Sequence, residues 1–265
     1  MLPQPPHEFD LTRLTSRDIA SLAPSDPLVV LPIGAIEQHG PHLPVQTDAA
    51  QVMELLRRAV ARRSADERVW ALPMLPYGKS NEHESFPGTF SLTASTLAAV
   101  ITDLGRSLYR SGLRRLMLLN GHGGQPEVLD IVARDLRAEM KDLMVFTVHP
   151  FRFSCARDHV TADEGLVGIH ANEAETAMML AIAPDDVRRD RLTPQLPGVL
   201  NGLKHLRLKG AVGFGWLTAD LTPDGTLGDP RAATVDKGNA ILDGDAATLV
   251  EILDECLGFS LDATP

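Results

Sequence analysis

At 265 residues and 44% hydrophobic content, the chain is long enough to bury one large core and is read as a single domain over residues 1–265. A formal net charge of −10 excludes the basic surface that nonspecific nucleic-acid or anionic-membrane binding requires. Two cysteines, Cys155 and Cys256, cannot build a disulfide framework, and no apolar run approaches the ~20 residues of a membrane span.

The opening residues, Met1 to Asp10, lack a basic region followed by an apolar one, so no signal peptide is expected and the protein is read as soluble and cytoplasmic. The first predicted strand is 28–33 (LVVLPI), followed by a helical stripe of Val52, Leu55, Leu56 and Val60. A second strand is expected over 69–75 (VWALPML), then a stripe of Leu97, Val100, Ile101, Leu104 and Leu108. A third, over 115–119 (RLMLL), leads to a helix opened by Pro126 with Val128, Ile131, Val132 and Leu136 on one face. The fourth is 143–148 (LMVFTV). Strands apolar on both faces, alternating with helices, imply a mostly parallel sheet covered by helices. Residues 186–231, rich in Gly and Pro, read as long active-site or interface loops. A final helix at about 232–256 follows, with Leu242, Ala246, Leu249, Val250 and Leu253 packing back onto the body.

Ligands gather at the carboxyl ends of strands in an open parallel sheet, so the polar residues that follow strands matter most. After the first strand, Glu37, His39, His42 and Asp48 fall within twelve residues, mixing hard oxygen and imidazole donors as a divalent transition metal requires. After the third comes Asn120-Gly-His-Gly-Gly-Gln125, where glycines on both sides let His122 approach a ligand closely. His170 precedes a helix for which Asn172 is the expected N-cap. Glu175, three residues on, can close a capping box or, beside a metal cluster, supply a further ligand or a proton-transfer group. Ser80, His83 and Thr89, after the second strand, are candidates to line a substrate pocket, although Phe86-Pro-Gly88 also fits a structural turn.

Together these segments resemble the creatininase (creatinine amidohydrolase) family. The resemblance runs through Leu31-Pro-Ile-Gly34, Glu37-Gln-His-Gly-Pro-His-Leu-Pro44, Asp48, Glu82-His83, Phe86-Pro-Gly-Thr89 and Asn120-Gly-His-Gly-Gly124. It continues in His170-Ala-x-x-x-Glu-Thr176, Gly228-Asp-Pro-x-Ala-Ala-Thr234 and Lys237-Gly238, so it covers about residues 28 to 240. It implies a dinuclear metal site: Glu37 and His122 on one ion, His39 on the other and Asp48 bridging, with a water activated between them. His170 matches the catalytic histidine, the proton donor to a departing nitrogen, and His42 is placed in a supporting role behind the ligands.

Creatininase proper is similar but has His-Tyr-Glu after its Asn-Gly, and that glutamate ligates the second metal. Gly124 stands there instead. Glu175 is the best replacement, with Glu173 behind it, and Gly123 and Gly124 join Ser80 and His83 on the substrate side. Gln125, Asn172 and Ala177 also depart from the usual Asn, Gly and Ser.

The expectation is therefore an α/β, three-layer α/β/α sandwich carrying a metal-dependent amidohydrolase of non-peptide C–N bonds, with His170 and Glu175 catalytic. Its cofactors would be two divalent ions, Zn and/or Mn, with Fe acceptable to the same donors. Its partners would be a small amide (a cyclic amide, formamide or similar) and other copies of itself, a hexamer being common in the family. The alternatives are a catalytically inactive binding or regulatory protein, and a mononuclear hydrolase should neither Glu175 nor Glu173 reach the site.

Overall fold

The computed structural model describes residues 5–63, 68–161, 168–208 and 212–261. Four strands, β1 (Leu28–Ile33), β2 (Val69–Ala71), β3 (Arg115–Asn120) and β4 (Met144–Val148), form one sheet in the order β2-β1-β3-β4, every neighbouring pair parallel. The expected second strand is shorter than 69–75 because the next rung would need an N–H from Pro32 of β1, which proline lacks. The chain nonetheless stays extended, with Leu72 N–H donating to Val30 O and Leu75 N–H to Pro32 O, both at 2.9 Å.

Alternate residues of β1 enter opposite cores, and that places helices on both faces. Leu28 and Val30 pack with Val52, Met53, Leu56 and Val60 of α2 (Thr47–Ala61) and with Ala246, Leu249 and Leu253 of the C-terminal helix. Val29, Leu31 and Ile33 pack with Leu97, Ile101 and Leu108 of α3 (Ala94–Arg110) and Leu129, Val132 and Leu136 of α4 (Pro126–Glu139). A short α1 (Ser16–Leu22) adds Leu22 to this second core. The result is the expected three-layer α/β/α arrangement. Each buried leucine or isoleucine contributes about 1.5–3 kcal/mol by leaving water. The predicted stripes were broader than the buried ones, since Leu104 and Ile131 at their margins are exposed.

Beyond the sheet, α5 (Glu173–Ile182) and α7 (Val235–Gly258) pack together, α7 also lying on α2. The expected final helix begins a little later than 232, at Val235, where Thr234 caps it by accepting from Lys237 N–H. Gly238 brings the two helices into backbone contact: a Cβ there would fall on the Ala177 carbonyl. The described part of 186–231 holds short 3₁₀ turns and α6 (Thr218–Leu221), and it returns over the carboxyl end of the sheet. Its Leu227 exchanges backbone hydrogen bonds with His170, and Gln195 pairs with Gly228. Among the described residues no helix is long and apolar enough to cross a membrane.

Candidate metal centre

Glu37 and His39 leave the end of β1, Asp48 sits in the first turn of α2, and His122 follows β3, so the sheet delivers all four to one end. Glu175 and His170 arrive from the α5 side. All but Glu175 are buried, at 0–6% exposure. Three donor triads result, each with its ligand atoms within 4.8 Å of one another: Glu37–Asp48–His122, His39–Asp48–Glu175 and Glu37–His39–His170. Asp48 belongs to the first two.

The contacts are close. His39 Nε2 lies 3.2 Å from Asp48 Oδ1, and His122 Nδ1 lies 3.0 Å from Asp48 Oδ2 and 3.2 Å from Glu37 Oε2. Yet Glu37 Oε2, His39 Nε2 and Asp48 Oδ2 make no hydrogen bond of acceptable geometry among the described residues, although water does not reach them. Buried polar atoms without partners cost about 1–3 kcal/mol each. Cations held in these triads would satisfy all three, so the residues fit a metal. The same field acts on protons. Burial disfavours the His39 imidazolium, but Asp48, with help from Glu175 and Glu37, overcomes it and raises the ring to about 9. His122 is also driven well above its ordinary value, burial again being outweighed, here by Glu37, Asp48 and Glu82.

His122 is clamped from its own backbone. Asn120 Oδ1 accepts its N–H at 3.0 Å, and Asn120 Nδ2 donates to its carbonyl at 2.8 Å. Gln125 Nε2 donates to Asn120 Oδ1 at 2.9 Å, and Asn120 Nδ2 also meets His149 Nδ1 at 3.0 Å.

Three imidazoles stack beside the triads. His170 lies between His39 and His83, with ring centroids 4.1 and 4.2 Å away. Gln38 assigns the tautomers of His170 and His83. Its carbonyl accepts from His170 Nε2 at 2.6 Å, which leaves Nδ1 bare toward Glu37 Oε1, 3.6 Å away. Its side-chain Nε2 donates to His83 Nδ1 at 2.7 Å, where Thr218 Oγ1 also approaches to 2.8 Å, so His83 Nε2 carries the proton facing Glu37 Oε1 at 3.4 Å. Burial, followed by the neighbouring His39 and His83, holds His170 well below its ordinary value and hence neutral. The backbone after it is strained: Ala171 sits at φ 49°, a left-handed conformation costing roughly 1–2 kcal/mol outside glycine.

Most of the predicted residues meet here. Asn172 is the N-cap, accepting from Glu175 N–H at 2.9 Å, while the Glu175 carboxylate forms a triad with His39 and Asp48. Glu173 does not reach the cluster, being buried in an ion pair with Lys237 and accepting from Thr161. His42 lies outside the triads, its Nε2 3.0 Å from Thr176 Oγ1. Ser80 is fully buried with its hydroxyl 3.4 Å from His122 Nε2, and Gly123 and Gly124 flank that ring half-exposed. Sequence reasoning assigned no role to Gln38, Glu82, His149 or Thr218. His149 was within reach, as a polar residue directly after a predicted strand.

A model of the creatininase family, described as creatinine amidohydrolase, matches residues 12–253. The chain belongs to the creatininase family. Among its relatives, the mycofactocin precursor peptide peptidase of Mycobacterium ulcerans (strain Agy99) is 34% identical over 97% of this chain and 92% of that one. The creatinine amidohydrolase of Pseudomonas putida is 34% identical, covering 84% of this chain and 87% of its own. Of solved structures, a mutant creatininase of the Zn-Zn type superimposes with a TM-score of 0.77 at 29% identity, covering 95% of this chain and 99% of its own. A manganese creatininase gives 0.76 at 26% identity, covering 95% and 99%. This member of the creatininase family is thus similar both to enzymes named for a small cyclic substrate and to peptidases.

Proposed function

We propose that this chain is a metal-dependent amidohydrolase that hydrolyses an amide C–N bond at two divalent ions, zinc or manganese. The observation that carries the reading is the shared Asp48: one carboxylate belongs to two donor triads, Glu37–Asp48–His122 and His39–Asp48–Glu175. A pair of bound ions would polarise the substrate carbonyl and bring the pKa of a water toward about 7.

The protein's own groups then move the proton. Neutral His170 offers Nδ1 as a base, takes a proton from the attacking water as the C–O bond forms, and returns it to the nitrogen as the C–N bond breaks. Its proton-donor role therefore follows a proton-acceptor one. Gln38 prevents the ring from turning, since its carbonyl accepts from Nε2. His83 Nε2–H faces the same point and can donate to a carbonyl oxygen there. The relatives include a peptide peptidase, so we extend the substrate class from small non-peptide amides to amide bonds of peptides as well.

We also infer a homo-oligomer. Leu196, Val199, Phe214 and Leu217 expose apolar side chains on the long loops, a pattern that supports subunit contact. The test of function is a hydrolysis screen over creatinine, cyclic imides, lactams, formamides and short peptides, run beside elemental analysis of zinc and manganese. Turnover of at least one amide that disappears in Asp48→Ala is expected. Activity surviving that substitution removes the two-ion mechanism.

A further inference from the structure

Position 124 bears no side chain, yet its space is filled. A Cβ on Gly124 would fall on Glu82 Oε1 and lie 2.5 Å from His122 Nε2. Glu82 comes from the 3₁₀ turn Asn81–His83, more than forty residues earlier in the chain, and its side chain is only 13% exposed. Lys79 Nζ holds its other oxygen at 3.0 Å.

His122 has two nitrogens with separate duties. Nδ1 faces Glu37 and Asp48, so a cation bound by this triad would take that lone pair. The ring proton must then sit on Nε2, which faces away from the triad: Lys79 O at 3.1 Å and Ser80 Oγ at 3.4 Å are its hydrogen-bond partners, and Glu82 Oε1, 3.4 Å away, makes a charge contact with it. Of these three, Glu82 alone carries charge. A carboxylate behind a metal-bound histidine fixes the tautomer and the ring plane and makes the opposite nitrogen a stronger donor.

We propose that Glu82 is a positioning residue for the metal centre, acting by its charge beside His122 Nε2–H, and that it takes the space a side chain at position 124 would occupy. The inference rests on the two-ion reading above. It recasts the Gly124 position: Gly124 is the clearance that admits Glu82, and Lys79 locks Glu82 in place. Glu82 is not itself a ligand, since it belongs to none of the donor triads.

The test is zinc affinity, measured by competition with a chromogenic chelator on the full chain, with far-UV circular dichroism confirming that each variant is folded. Glu82→Gln should weaken binding at the Glu37–Asp48–His122 site by about 10–100-fold and leave the second site unchanged. Glu82→Asp should recover part of the loss. Gly124→Ala should show a similar loss by displacing Glu82, and Glu82→Gln/Gly124→Ala should be no weaker than the worse single variant. Parental affinity in Glu82→Gln, or losses that add in the double variant, overturns the proposal while leaving the two-ion reading intact. Should Glu82→Gln fail to fold, parental zinc affinity in Gly124→Ala overturns it equally. A parent chain that binds no zinc removes both.

Discussion

The two halves of the candidate centre share Asp48 but are built by different means. Glu37 and His122 stand just beyond adjacent strands paired through six residues, and the Asn120 side chain brackets His122 from both sides. Glu175 belongs to α5, outside the sheet, and its place depends on a left-handed Ala171 and on α7 pressing against the helix at Gly238. The first half rests on the sheet throughout, whereas the second takes Glu175 from helix packing. The lesson is that a carboxylate can be brought to a cluster of donors from a separate layer, provided another contact anchors that layer.

The largest effect belongs to the shared residue. Asp48→Ala should abolish binding at both halves and lower kcat/KM by several kcal/mol of transition-state stabilisation, roughly 100- to 1,000-fold or more, checked by metal analysis and steady-state kinetics. Next come the unshared ligands. His122→Ala and Glu175→Ala should each take metal content from two ions per chain toward one, and chelator competition should find the surviving site at parental affinity. A Glu175→Ala protein that keeps two tightly held ions would dissolve the distinction between the halves.

Gly238→Ala tests packing directly. Its methyl group must push α7 from α5, costing about 1–3 kcal/mol, seen as a lower Tm. Metal affinity should fall at the Glu175 half and hold at the other; equal losses would mean that the sheet-built half also leans on α5. The smallest effect is a proton count. In the metal-free chain His39 is raised to about 9 and His122 lies well above its ordinary value, so both are protonated at pH 7, whereas a ligating imidazole is neutral. Zinc uptake at pH 7 should release protons, measurable by pH-stat, and affinity should weaken as pH falls. By the same shift, the His39 contribution to metal-free stability is complete below about 6.5 and lost as pH rises through about 9, which melts across that range will read.

Where a residue's place in the cluster follows from its neighbours in sequence, it was legible. Glu37, His39 and Asp48 follow an apolar run, His122 sits between glycines after another, and Asn172 precedes a helix that it caps. Glu175 was left between two roles, because a capping box and a metal ligand call for the same residue at the same spacing. The structure gives its backbone N–H to Asn172 and its carboxylate to the cluster. Other partnerships were invisible because nothing local encodes them: Thr218 meets His83 across 135 positions, and Gln38 meets His170 across 132. The second strand was over-extended because the apolar content of 69–75 says nothing of Pro32 on the facing strand, whose missing N–H ends the ladder near Ala71.

The C-terminal helix has a consequence for biosynthesis. A domain generally folds as a unit, so its packing waits for the last element that the core needs. A nascent chain ending before Val235 already contains β1 to β4 and the first triad, but it lacks the helix that buries Val52, Met53 and Leu56 and braces α5. Until α7 emerges, that apolar face is exposed to chaperones and Glu175 has no firm seat. Completion of the second half is thereby coupled to synthesis of α7, and a product truncated before Val235 would keep the strand-borne ligands while losing the brace for the remaining one.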